Sequence, residues 1–231
     1  MSDISDLHKL NDWICNKREQ GAIAIVTHKN GDMDTIGSAC ALAEIIGENA
    51  KACGIHVSKI AKRVLAQTKN DFLLMNASNP MWPRTLSGII VVDTASESQT
   101  GLNLPSNIPI CVIDHHQGGS DWVGVDLNIC WQVTSTAEIV HKYAQEYNPE
   151  GLRRESAIQL LAGIITDTGR FKHADAGSFK SASEIIEKYS LDYASFVESL
   201  EKDDMNRSQK GSIAKSLSKV QALDAGNWFL L

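Results

Sequence analysis

Thr27 to Ser38 reads T-H-K-N-G-D-M-D-T-I-G-S. An apolar, β-branched run, Ile23-Ala24-Ile25-Val26, precedes it and has the character of a buried parallel strand. A run of small and apolar residues, Ala39 to Ile46, follows it and predicts a helix. His28, Asp32 and Asp34 therefore fall in a crossover loop at the carboxyl end of a strand, where open α/β sheets place their ligands. One imidazole and two carboxylates in a single loop suit Mn²⁺ and similar divalent ions. A purely local alternative has the Asp residues capping the next helix and Gly31 making a turn. This stretch alone leaves both open.

Three later segments carry the same arrangement. Ile89-Ile90-Val91-Val92 ends at Asp93, and Ile110-Cys111-Val112-Ile113 ends at Asp114-His115-His116. Leu160 to Ile165 leads through Thr166 to Asp167, followed by Thr168-Gly169. Capping accounts for any one of these. Four apolar runs that all leave through Asp or His point instead to a dinuclear metal site.

Taken together, H-x-N-x-D-x-D-x-x-G-S (His28 to Ser38), V-V-D (Val91 to Asp93), D-H-H (Asp114 to His116) and T-D-T-G-x-F (Thr166 to Phe171) resemble the DHH phosphoesterase superfamily. S-T-A-E-I-V, Ser135 to Val140, is similar to a helix start of that family. The resemblance runs from about Ala22 to Phe171 and less distinctly to about Ala222. It implies one ion held by His28, Asp32 and Asp93 and a second held by Asp34, Asp93, His115 and Asp167, with Asp93 bridging. By the same resemblance His116 faces the substrate phosphate as hydrogen-bond donor or general acid. Asp114 orients the ligands around it. Arg170 and Lys172 are candidates for phosphate contact, with solvated charge beside Phe171 as the equal alternative. Many family members have proline where this chain has Gly31, which implies a looser loop with every ligand kept.

Carboxylates dominate this donor set, so the expected cofactor is two Mn²⁺, with Mg²⁺ or Co²⁺ able to substitute. Ions about 3.5–4 Å apart can share a water, lower its pKa and neutralise phosphoryl oxygens. So many carboxylates in one cleft also require cations to coexist. The implied activity is that of a nuclease or nucleotide phosphatase resembling RecJ and the oligoribonuclease and phosphoadenosine-phosphate phosphatase branch. Its substrate is a short single-stranded RNA or DNA, or a nucleotide. A manganese-dependent inorganic pyrophosphatase is the alternative, and a non-catalytic partner protein of the same fold is a third reading.

The remaining chain sets the frame. Hydrophobic residues make up 43 % and charged residues 22 % of the 231, ordinary values for a globular protein. The net charge of −6 argues against wrapping nucleic acid mainly by electrostatics. No stretch is apolar and long enough for a bilayer, so no membrane partner is expected. Cys15, Cys40, Cys53, Cys111 and Cys130 lack C-x-x-C spacing and read as free thiols of a reducing compartment, by default the cytoplasm. A homodimer is compatible with this reading.

The fold class expected is α/β, a doubly wound and mostly parallel sheet layered by helices. Ile4 to Arg18 reads as an amphipathic helix, and His56 to Gln67 as a helix with Val57, Ile60, Ala61 and Val64 as its buried stripe. Trp122 to Leu127 alternates like an outer strand. Thr134 to Glu146 predicts a helix with Glu138 in capping-box spacing from Ser135, and its free N–H groups at Ser135 and Thr136 offer a phosphate site. Leu152 to Ile165, Ser178 to Tyr189, Tyr193 to Glu201 and Gln209 to Leu223 read as helices. Residues 1–200 are then the catalytic domain, and 201–231 a connecting helix and the start of a missing or truncated C-terminal domain. The apolar ending Gly226-Asn227-Trp228-Phe229-Leu230-Leu231 motivates that division.

Overall fold

The computed structural model describes residues 2–116, 121–201, 207–218, 220–222 and 228–230. The chain divides into two units, Met1–Tyr193 and Ala194–Leu231. In the first, α1 (Ser2–Gln20) leads into β1 (Ala22–Val26), α2 (Met33–Ile46), β2 (Ala50–Gly54), α3 (Lys59–Thr68), β3 (Leu73–Leu74) and β4 (Leu86–Val92). There follow β5 (Ile110–Asp114), β6 (Leu127–Cys130), α4 (Thr136–Tyr147), α5 (Arg154–Asp167) and α6 (Ala176–Tyr189).

All six strands of this unit are parallel, in the order β3-β2-β1-β4-β5-β6. After β1 the chain winds outward through β2 and β3, then returns to β4 and winds the other way. The β1–β4 seam is thus the point where strand order reverses, and a crevice opens there beyond the carboxyl ends. Register sets what meets in it. Val26 pairs with Val91 and Val92 with Ile113, so the exits of β1, β4 and β5 emerge side by side.

The two faces of the sheet are covered differently. Parallel crossovers are right-handed, so connections running in opposite directions lie on opposite faces. Ile23, Ile25, Ile90, Val92, Cys111 and Ile113, all buried, alternate onto the helical face. There a Cβ built on Gly88 would come within 2.7 Å of the Trp13 ring of α1. Ala24, Val26, Cys53, Ile89, Val91 and Val112 face the other way and pack against Leu102, Trp122, Met75, Trp82, Leu104, Ile108 and Val125. Among the described residues no helix residue belongs to that cluster; coil segments with one short 3₁₀ turn, Glu97–Gln99, cover it. Burying one such aliphatic side chain contributes about 1.5–3 kcal/mol.

Several local expectations are corrected. The helix expected over His56 to Gln67 begins at Lys59, behind Ser58, whose hydroxyl accepts from the Ala61 N–H. Its buried stripe is therefore Ala61, Val64 and Thr68, at i, i+3 and i+7, while Ile60 turns outward and is 37 % exposed. Trp122 to Leu127 is not a strand; β6 starts at Leu127. Trp122 and Val125, three residues apart with Gly124 at φ +73 between them, instead plug the coil-covered core, with Trp122 Nε1 donating to Thr94 O at 2.8 Å. Cys40, Cys53 and Cys111 are buried, Cys15 is half-buried and Cys130 exposed, all free thiols. Burial pushes the Cys40 and Cys53 thiols up to about 12, so both are inert at neutral pH.

The second unit contains α7 (Tyr193–Glu201), α8 (Arg207–Leu217) and an antiparallel pair, β7 (Val220–Ala222) with β8 (Trp228–Leu230). The helix expected to reach Leu223 ends at Leu217, and the chain turns to strand at Val220. Residues 226, 227 and 231 of the apolar ending, like the expected loop at 118–120, lie outside the described residues. Among the described residues no helix is long and apolar enough to cross a membrane.

Candidate metal centre

The β1 exit builds the first half of the centre. His28 Nδ1 accepts the backbone N–H groups of Asn30 and Gly31 at 3.1 and 3.2 Å. That aims Nε2 at Asp32 Oδ2, 3.0 Å away, and at Asp93 Oδ2, 3.4 Å away. Asp32 is also the cap of α2, its Oδ1 accepting from Thr35 N–H at 3.2 Å. Capping and ligand readings are thus both satisfied, one by each oxygen. The Thr35 hydroxyl donates to Val92 O at 3.1 Å and so ties this loop to the strand that delivers Asp93. Gly31 stands at φ +55, and a Cβ there would lie 2.1 Å from His56 O. Proline cannot adopt that φ, so glycine here fixes a tight turn against the His56 backbone and does not loosen the loop.

The second half is assembled from four places in the chain. Asp93 leaves β4 at φ +57, a left-handed conformation that costs a non-glycine residue energy and often marks a functional position. Its N–H is held by Ile113 O at 2.8 Å. Its Oδ2 faces His28 while its Oδ1 faces His115 Nε2 at 3.3 Å. His115 Nδ1 contacts Val133 O at 3.3 Å, and its Nε2 also lies 3.3 Å from Asp167 Oδ2 and 4.0 Å from Asp34 Oδ2. Asp167 is the last residue of α5. Asp34, in the first turn of α2, sends Oδ2 to the Thr136 N–H at 2.7 Å and Oδ1 to the Ala137 N–H at 2.9 Å. Gly163 of α5 leaves room for this, since a Cβ there would sit 3.0 Å from Asp34 Oδ1.

Among the described residues three candidate ligand groups result, each with its ligand atoms within 4.8 Å of one another: Asp93–His115–His116 and the two expected for separate ions, His28–Asp32–Asp93 and Asp34–His115–Asp167. Asp93 touches both of the latter. The electrostatics fit divalent cations. Burial, then the charges of Asp93 and Asp167, push Asp34 well above the ordinary carboxylate range. Burial and Asp93 likewise raise Asp167 to about 6. Burial opposes charge on His28 and His115, yet the carboxylates outweigh it and raise them to about 10 and about 9. Asp93 is held low despite burial, because both imidazoles hydrogen-bond it. Crowded oxygens stabilised only by borrowed protons are a donor set that two hard or borderline ions satisfy.

The other expected site residues fall into two sets. His116 is half-exposed and its Nδ1 lies 2.7 Å from Asp114 Oδ1, which also accepts the N–H groups of His115 and His116. The Asp114 bond, against burial, raises the His116 pKa. A cleft of about 280 Å³ is lined by His28, Lys29, Asn30, Asp32, Asp93, Gln99, His116 and Asp167. Arg170, at φ +60 on the turn after α5, is exposed and outside that lining, as is Lys172. Ser135 and Thr136 are fully buried. Of the α4 amides expected to bind a phosphate, that of Thr136 goes to Asp34, as does the neighbouring Ala137 N–H, and the Thr136 hydroxyl donates to Asp93 Oδ1 at 3.3 Å. Glu138 Oε1 does not close a capping box on the Ser135 N–H; it accepts the Thr134 N–H and hydroxyl at 3.1 and 2.7 Å. Lys29 and Gln99 were not singled out from the sequence; only the position of Lys29 inside the ligand loop signals it.

Known proteins resemble this arrangement at several levels. An uncharacterized protein of Methanocaldococcus jannaschii is 28 % identical over 204 residues, 81 % of this chain and 57 % of its own length. The cyclic-di-AMP phosphodiesterase GdpP of Bacillus subtilis is 29 % identical, over 74 % of this chain and 28 % of its own length. A probable manganese-dependent inorganic pyrophosphatase of Bacillus cytotoxicus is 26 % identical, over 89 % of this chain and 72 % of its own. This chain thus spans less than two thirds of the first two relatives. In fold it is similar to the crystal structure of an exopolyphosphatase-related protein from Bacteroides fragilis, with a TM-score of 0.73 and 17 % identity over 95 % of this chain and 66 % of that one. The model of the DHH family, N-terminal domain, matches residues 22–164, a span that holds every ligand above except Asp167, and the chain belongs to the DHH family.

Proposed function

We propose that this chain is a divalent-metal-dependent phosphoesterase that hydrolyses phosphodiester or phosphomonoester bonds in nucleotides and short single-stranded oligonucleotides. The observation that carries the reading is the pair of ligand groups joined by one buried carboxylate, Asp93, beside an open cleft. His28, Asp32 and Asp93 would hold one ion, and Asp34, Asp93, His115 and Asp167 the other, with Mn²⁺ preferred and Mg²⁺ or Co²⁺ able to replace it. Bound there, the ions supply an acidified water and positive charge for the phosphoryl oxygens. The chain's own contribution is orientation. Asp114 fixes His116 through Nδ1, which leaves Nε2 to face the phosphoryl or leaving oxygen, and the Asp114 bond raises the His116 pKa and so favours the protonated, donating ring. The buried Thr136 hydroxyl steadies Asp93 between the two groups.

The likeness to a cyclic-di-AMP phosphodiesterase supports a nucleotide substrate. Alignment of a probable manganese-dependent pyrophosphatase over 89 % of the chain supports pyrophosphate as the second reading. The test is turnover of the Mn²⁺-loaded chain on cyclic-di-AMP, a short RNA, phosphoadenosine phosphate and pyrophosphate, with Asp93→Ala as the blank. Nucleotide or phosphate release from the first three, faster than from pyrophosphate, is expected. Pyrophosphate as the best substrate replaces the first reading with the second, and silence on all four with both ions bound removes the catalytic assignment.

A further inference from the structure

The cleft has two kinds of wall. Its floor is the acidic ligand set, while its rim is Lys29, Asn30 and Gln99, all exposed. Lys29 and Asn30 lie on the β1–α2 loop, and Gln99 ends the 3₁₀ turn in the β4–β5 connection. These segments are locked together. The Lys29 N–H donates to Gln99 O at 2.7 Å, and a Cβ built on Gly101 would lie 3.2 Å from Lys29 Cβ, so the two segments approach closely. Thr100 is buried between them, its hydroxyl donating to Glu97 O at 2.8 Å and closing the turn. A rim built this way is preformed, so little ordering entropy opposes binding to it.

The rim also has one chemical character. Ala95 N–H donates to Gln99 Oε1 at 3.0 Å, which fixes the amide and leaves its NH₂ end as donor. Among the described residues no carboxylate pairs with the Lys29 ammonium, although Asp32, Asp93 and Asp167 line the same cleft. Asn30 spends its backbone N–H on His28 and keeps its side-chain amide for the cleft. Cations bound to the floor would cancel its charge, and a lysine and two amides beside it then face whatever extends past the reacting phosphorus.

We infer that Lys29, with Gln99 and Asn30, binds a second, non-reacting phosphoryl group of the substrate. The natural substrates then carry at least two phosphoryl groups, a conclusion that rests on the phosphoesterase reading above. Titration calorimetry on the Mn²⁺-loaded full chain tests it with methylphosphonate and methylenediphosphonate, stable mimics with one and two phosphoryl groups. The wild type should bind the diphosphonate at least tenfold more tightly. Lys29→Met, which keeps the apolar stem, should lose most of that ratio while holding the same number of Mn²⁺, and Gln99→Leu should lose a smaller part. An unchanged ratio in Lys29→Met, or no preference in the wild type, overturns the assignment. Adenosine α,β-methylene diphosphate in the same titration separates the sources. Tighter binding than the bare diphosphonate, still dependent on Lys29, names a nucleotide, whereas weaker binding with that dependence names an inorganic diphosphate. Turnover of cyclic-di-AMP, a short RNA, phosphoadenosine phosphate and pyrophosphate by the Mn²⁺-loaded chain judges the underlying reading separately. Its absence removes the phosphoesterase assignment and leaves the diphosphonate ratio to decide Lys29.

Discussion

The two ligand groups are built on opposite plans. In His28–Asp32–Asp93 the Asp32 side chain, at the end of the β1–α2 loop, is 51 % exposed, while His28 and Asp93 are buried. In Asp34–His115–Asp167, Asp34 is 1 % exposed, and both its oxygens are gripped by the first amides of α4. A helix N-terminus favours a carboxylate both by its free N–H groups and by its dipole. The Asp34 group thus has a buried anchor that the fold itself holds, with Asp167 as its exposed member, and the His28 group has an exposed anchor, Asp32, on a loop beside the buried His28 and Asp93. This difference predicts that the Asp34 group binds its ion more tightly and that the His28 group exchanges its ion more readily.

Four outcomes would sharpen or break that contrast. Asp93→Ala should empty both groups at once and lower turnover about a thousandfold or more, because several kcal/mol of charge stabilisation disappear; metal counting by equilibrium dialysis reads it directly. Asp34→Asn should lose the ion of its own group only, and melting curves should show a stability loss of about 1–3 kcal/mol from weakened amide bonds. Asp32→Asn should lose the ion of the His28 group with little stability change, since Asn caps helices as well as Asp. Equal stability losses in these two variants would erase the contrast.

The pH dependence gives the third outcome. Below about 9 the His115 ring keeps a proton in the ion-free chain. An ion must displace it, so affinity should rise with pH by about tenfold per unit for each proton released, up to the raised pKa. Below about 6 Asp167 holds a proton too, so the Asp34 group should lose its ion more steeply than the His28 group in acid. Mn²⁺ titrations at pH 5.5, 7 and 8.5 would reveal a parallel fall in both groups if this is wrong. The smallest effect is that of Gly31→Ala. Strain at φ +55 and the His56 carbonyl should cost about 1–3 kcal/mol and weaken the ion of the His28 group while sparing that of the Asp34 group.

What could be read from the sequence follows the same division. His28, Asp32, Asp93 and His115 stand at the ends of short apolar runs, and parallel strands bring such ends to one edge, so linear order was enough to collect them. Asp167 was reached through the apolar run of α5. The grip of α4 on Asp34 was not legible, because it joins residues 102 and 103 positions apart. The start of α4 looked like a phosphate site for the same reason that its Thr136 and Ala137 amides hold Asp34: free helix amides suit any anion. The segment from Trp122 mimicked a strand because coil crossing a sheet face also buries some apolar side chains, here Trp122 and Val125, and leaves the residues between them exposed. The Gly31 turn was misjudged since its φ is set by the backbone of His56, a residue outside the motif.

The account rests on Asp93 bridging two ions. Electron paramagnetic resonance of the chain loaded with Mn²⁺ tests this most directly, because ions about 3.5–4 Å apart through a shared carboxylate are magnetically coupled. Two Mn²⁺ per chain with an exchange-coupled spectrum, lost together in Asp93→Ala, is the predicted result. An isolated six-line Mn²⁺ signal at full loading, or coupling that survives in Asp93→Ala, would contradict it.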